Sequence, residues 1–111
     1  MTYSEAEIEE RLEQDLPKWR LEDGEIVRTY ETGNWRLTLM LANTIGFVAE
    51  AAYHHPELTL GYAELTVRLT SHDAGGITDR DFALAKRIEI LATWQPSDDE
   101  ALPGNPESWI T

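Results

Sequence analysis

Ile8, Leu12 and Leu16 recur every four positions, the spacing of one helix face, and Pro17 stops the run. Ser4, with Glu7 three residues later, forms a capping box in which each side chain satisfies a free backbone donor at the helix start. The pattern predicts an amphipathic helix over residues 4–15. Trp19 to Glu22 and Glu25 to Glu31 flank Asp23-Gly24, a dipeptide that accepts the positive φ angles of a tight hairpin. Ile26, Arg28 and Tyr30 alternate there with Val27 and Thr29, so two antiparallel strands are expected.

Asn34 is placed to cap a second helix, along which Leu37, Leu41, Ile45, Val48 and Ala52 make a long apolar stripe. Gly46 within it predicts a close packing contact, and Pro56 is the expected terminator, because a proline pushes the residue before it out of helical geometry. Leu58 to Leu60, a turn at Gly61, and then Leu65, Val67 and Leu69 alternating with polar residues predict a second strand pair. Thr78 and Asp81 repeat the capping pattern, and Phe82, Ala85, Ile88 and Leu91 predict a last helix over 78–92. From Gln95 the chain becomes acidic and proline-containing up to Trp109-Ile110, a pair apolar enough to dock on the body. The expected organisation is one domain over 1–94 with an irregular tail over 95–111. The order of elements implies an α+β fold, a four-stranded antiparallel sheet with three helices packed on one face.

The formal net charge of −12 disfavours phosphate backbones and anionic membranes as partners. With no cysteine there is no disulfide and no thiolate chemistry. The start of the chain has neither a basic region nor an apolar run, and no stretch approaches a membrane span, so a cytoplasmic location is the expectation.

Three histidines remain as carriers of chemistry: His54, His55 and His72, each where a loop meets a regular element. Histidine titrates near neutrality and can both give and take a proton. Glu50, one helical turn before His54, is placed to orient it, and Asp81 is placed to do the same for His72 or simply to cap its helix. A histidine at a helix end is often no more than a favourable partner for the helix dipole. The neighbours His54 and His55 diverge in any regular backbone, and no His-x3-His or Glu-x-x-His spacing occurs, so a metal site is not indicated. Ser71 beside His72 does not make a hydrolase triad, and Gly75-Gly76 lacks the fingerprint of a phosphate loop.

The run Glu50-Ala-Ala-Tyr-His54-His55-Pro56, followed by Tyr62, His72 and Asp81, resembles the pterin-4a-carbinolamine dehydratases, whose signature has these residue types at this spacing. The likeness continues through Ser71 to Thr78 and extends over about residues 8–92. It implies the fold read above, usually assembled as a homodimer or homotetramer, and dehydration of 4a-hydroxytetrahydrobiopterin to the quinonoid dihydropterin without metal or organic cofactor. That reaction would serve tetrahydropterin recycling after aromatic amino-acid hydroxylase turnover. The resemblance also implies catalytic roles for His54, His55, His72, Glu50 and Asp81, and substrate contacts from His54, His55, Pro56, Ser71, His72, Asp73 and Ala74. His54 would handle the 4a-hydroxyl, with the three imidazoles meeting at a hollow wide enough for a bicyclic ring. The alternative on the same scaffold is a non-catalytic binding or assembly factor, either a dimerisation cofactor or a protein resembling Rubisco assembly factors.

Overall fold

The computed structural model describes residues 1–98 and 100–111. Its elements follow the order α1 (Glu5–Asp15), β1 (Arg20–Glu22), β2 (Glu25–Glu31), α2 (Trp35–Ala52), β3 (Glu57–Leu60), β4 (Glu64–Leu69) and α3 (Asp79–Ala92). All strand pairs are antiparallel, in the spatial order β1-β2-β4-β3. Asp23 and Gly24 turn the first hairpin at φ 51° and 77°, the left-handed pair that a two-residue turn requires. Both capping boxes form, Ser4 with Glu7 and Thr78 with Asp81.

Register decides which side is covered. Ile26 lies opposite Leu69, Arg28 opposite Val67, and Tyr30 opposite Leu65, so these six side chains share the helix-bearing face. The five apolar ones are fully buried, each worth about 1.5–3 kcal/mol relative to exposure. Ile8, Leu12, Ile45, Phe82, Ala85 and Ile88 close the core from the helices. The other face carries Thr29, Thr66, Arg68 and Glu22 and is mostly polar, its exception being the fully buried Val27 in register between Arg20 and Arg68.

Three details depart from the sequence-based expectation. The buried stripe of α2 is Leu37, Thr38, Leu41, Ile45 and Ala49, with Ala52 exposed. Gly46 faces open space: a methyl group added there would meet nothing within 4 Å, so no close contact requires the glycine. Pro56 does not end α2. The helix closes three residues earlier, where Tyr53 adopts φ 53°, ψ 43° and donates its N–H to the carbonyls of Ala49 and Glu50. The His54 N–H then bonds Ala49 O at 3.1 Å, completing a Schellman turn around a non-glycine residue.

The segment after Trp94 has no helix or strand among its described residues, yet it is anchored. Ile110 is buried in the main core, and Thr111 exchanges both backbone hydrogen bonds with Glu31, at 2.9 and 3.1 Å, beyond the point where β1 stops covering β2. Deleting Ile110 and Thr111 should therefore lower unfolding stability by about 1.5–3 kcal/mol, the burial of one isoleucine. Urea denaturation checks this, and an unchanged midpoint would mean that the tail contributes nothing.

Candidate active site

The turn at Tyr53 decides where the two adjacent histidines go. By reversing the chain immediately after α2, it carries His54 toward the start of α3, where its Nε2 lies 2.6 Å from Asp81 Oδ1. Asp81 is fully buried. Its other oxygen, Oδ2, accepts from Ser71 Oγ at 2.8 Å and from the Thr78 N–H at 2.9 Å. The Ser71 and Thr78 hydroxyls lie 2.9 Å apart. One carboxylate thus starts a helix with one oxygen and holds an imidazole with the other. With Asp81 as a carboxylate, the hydrogen it shares belongs to His54 Nε2, and Nδ1 is then the nitrogen that can accept or deliver a proton.

His55 pairs with the other acid. Its Nε2 lies 2.7 Å from Glu50 Oε1, and the Tyr53 ring meets His55 edge-on at 5.7 Å. Both members of this pair are exposed, so its worth to stability is at most about 1 kcal/mol. The partners expected from sequence are therefore exchanged. Helical spacing points Glu50 at His54, but α2 ends before residue 54, and the i,i+4 relation does not apply.

Asp81 does not hold His72 either. Ser71 points inward to Asp81, and its neighbour His72 is exposed on the loop of residues 71–76. Ser71, expected among the ligand contacts, is fully buried and acts as a brace between that loop and Asp81. Its backbone is also used within the loop: the N–H bonds Gly76 O at 3.1 Å, and the carbonyl accepts from Ala74 and Gly75. Asp73 reaches Arg80 through both carboxylate oxygens, at 2.9 and 3.1 Å, and these bonds hold its carboxyl below the usual value. Ala74 is exposed and Pro56 half-buried.

The N-terminal residues brace the same loop, a role the sequence did not signal because they precede the first periodic pattern. Tyr3 donates its N–H to Ile77 O and its hydroxyl to Asp79, and Arg11 donates to the Tyr3 hydroxyl. A Cβ at Gly76 would lie 3.2 Å from Thr2 Cγ2, so the strap needs a glycine there or a small shift of Thr2.

The three imidazoles are linked through Asp81: His54 directly, His55 as its chain neighbour, and His72 as the neighbour of Ser71. His54 borders a groove of about 520 Å³ between α2 and α3, whereas His55 and His72 are exposed. Among the described residues, no three His, Asp or Glu side chains are grouped as metal ligands would be. No helix among them is long and apolar enough to cross a membrane.

A sequence model of the family described as pterin 4 alpha carbinolamine dehydratase matches residues 1–91. A protein of Chloroflexus aurantiacus, provisionally named a pterin-4-alpha-carbinolamine dehydratase, is 48% identical over 88 residues, covering 79% of this chain and 94% of the relative. The crystal structure of a transcriptional coactivator/pterin dehydratase from Brucella melitensis superposes with a TM-score of 0.76 at 26% identity, covering 83% of this chain and 99% of that one. A pterin dehydratase-like protein identified as a RuBisCO assembly factor of the alpha-carboxysome shares the fold, with a TM-score of 0.55 at 17% identity over 68% of this chain and 87% of its own. By the family match along 1–91 and by the identity to its relatives, this chain belongs to the pterin-4-alpha-carbinolamine dehydratase family.

Proposed function

We propose that this protein dehydrates a 4a-hydroxytetrahydropterin to the quinonoid dihydropterin by histidine acid–base chemistry. The observation that carries the reading is the His54–Asp81 pair at 2.6 Å, with Asp81 fully buried and its second oxygen already satisfied. Such a carboxylate fixes the imidazole tautomer and the orientation of its ring. Protonated His54 gives its Nδ1 proton to the 4a-hydroxyl, the C4a–O bond breaks and water leaves. The N5–H proton goes to a base on the other side of the ring, and the N5=C4a double bond forms. His72, exposed on its loop, serves as that second proton carrier or as a ring anchor, and His55 contacts the substrate with Glu50 fixing its ring. Asp73, Ala74 and Pro56 border the pterin.

On this reading residues 1–94 form the dehydratase domain and 95–111 an appended segment. The protein works as a cytoplasmic homodimer or homotetramer, on carbinolamine released by an aromatic amino-acid hydroxylase. The acid–base pairs favour catalysis over a purely scaffolding role, since an assembly factor has no need of a buried carboxylate aimed at an imidazole. Chemically generated 4a-hydroxytetrahydropterin should form its quinonoid product faster with the protein present than in buffer, followed by ultraviolet absorbance. Equal rates would reject the proposal.

A further inference from the structure

The groove that begins at His54 is lined by cations on a strongly acidic chain. Its walls are apolar, with Phe47 and Val48 from α2 and Leu84 from α3, and its only charged lining residues are Arg80 and Arg87. That is two cations and no carboxylate, on a chain with 21 acidic and 9 basic residues. Arg80 is engaged by Asp73, whereas Arg87 makes no ion pair among the described residues. Because Asp81 holds His54 near the first turn of α3, the groove runs from there along α3 toward Arg87. Arg87 comes six positions after Asp81, about 9 Å of helix rise. This is roughly the reach of a bicyclic ring with a short substituent.

We infer that Arg87, seconded by Arg80, is a specificity determinant for a pterin whose side chain carries an anionic group, with the ring at His54 and the anion at the far end of the groove. The inference rests on the dehydratase reading and names the substrate class within it. A guanidinium in a groove with apolar walls meets a carboxylate or phosphate in the planar fork geometry that suits both. The same group has nothing to offer a neutral dihydroxypropyl side chain beyond an ordinary hydrogen bond.

The test uses the full-length protein and three 4a-hydroxytetrahydropterins that differ only in the 6-substituent: neutral dihydroxypropyl, a phosphate ester and a carboxylate. The ratio of kcat/KM for each charged substrate to that for the neutral one is read, with calorimetric binding of the corresponding unreactive pterins alongside. At least one anionic substrate should be favoured by about tenfold or more, the size of a charge-assisted contact, and the favoured arm identifies phosphate or carboxylate. Arg87→Gln should bring that ratio to about one. Lys86→Gln removes the same charge from α3, but at a residue bordering a different hollow with Arg11 and Asp15, and should leave the ratio unchanged. Ratios near one in the wild type, or equal losses in both variants, overturn the inference while dehydration of the neutral substrate keeps the reading beneath it. If none of the three substrates is turned over or bound, both fall. A wild type that turns over the neutral substrate with the groove sealed by a second copy in solution, read as Arg87 protection in chemical footprinting of the oligomer, also overturns the inference.

Discussion

Replacing His54 with alanine should lower kcat/KM for carbinolamine dehydration by about 10²–10⁴-fold, the usual worth of one positioned proton-transfer group. The expectation follows from geometry, because His54 alone among the three histidines is held by a buried carboxylate. The substitution also removes a donor from Asp81 Oδ1, and leaving a buried acceptor unpaired costs about 1–3 kcal/mol. A thermal melt must therefore show that the variant is folded at the assay temperature. Two comparisons separate chemistry from stability. Asp81→Asn keeps a side chain of the same shape but no longer fixes the tautomer, so its loss of rate should accompany a shifted pH–rate profile. Exogenous imidazole should restore part of the rate to His54→Ala and none to Asp81→Asn. A His54→Ala protein within about threefold of wild type would remove His54 from the mechanism.

The largest effect on stability is expected at Glu89, far from the proposed chemistry. Its carboxylate accepts from Trp19 Nε1 at 3.0 Å, Tyr30 Oη at 2.8 Å and Arg28 through Nε and Nη2 at 3.0 and 3.3 Å. Arg28 is 4% exposed and lies over the Tyr30 ring at 4.1 Å, on the same sheet face as the core strand residues. Glu89→Ala leaves that guanidinium buried without its counter-charge, which should cost about 3–5 kcal/mol. Burial alone would raise the Glu89 carboxyl, but the bonds from Arg28, Tyr30 and Trp19 outweigh it and hold the group below its ordinary value. Burial, reinforced by the bond to Glu89, pushes the Tyr30 hydroxyl well up, so it stays a donor throughout the working range. A carboxyl depressed by folding adds stability that is fully present above the unfolded value of about 4.3 and is lost as pH falls through the folded one. Urea midpoints measured across that window should converge for wild type and Glu89→Ala at the acid end. A constant gap down to full protonation would contradict the assignment.

Most of the fold is legible because its signals are local. The four-residue apolar spacing, the Asp23-Gly24 turn and the two capping boxes each specify their own element without help from elsewhere. The errors arise where a local rule was extended beyond its element. Helical spacing assigned Glu50 to His54, but the left-handed Tyr53 interrupts the helix before that residue. Sequence spacing offers Asp81 either a capping or a histidine-holding role, whereas its two oxygens perform both, the latter for a histidine 27 residues upstream. The Glu89 cluster had a visible hint in Arg28, a charge flanked by Ile26 and Tyr30 on an apolar face, but its partner lies 61 residues away. The edge pairing of Thr111 with Glu31 is likewise tertiary, and nothing in the tail's composition indicates which strand would receive it.

Tyr53 gives the helix end a further consequence. Glycine occupies the left-handed region freely, whereas an L-residue there gives up about 1–2 kcal/mol, so the chain accepts strain at the junction that aims both imidazoles. A glycine would relieve that strain but admit many more backbone angles between the rigid rod of α2 and the acid–base pair. Robustness and aim are therefore opposed at this joint, and a more heat-resistant version obtained by relaxing it would be expected to turn over less.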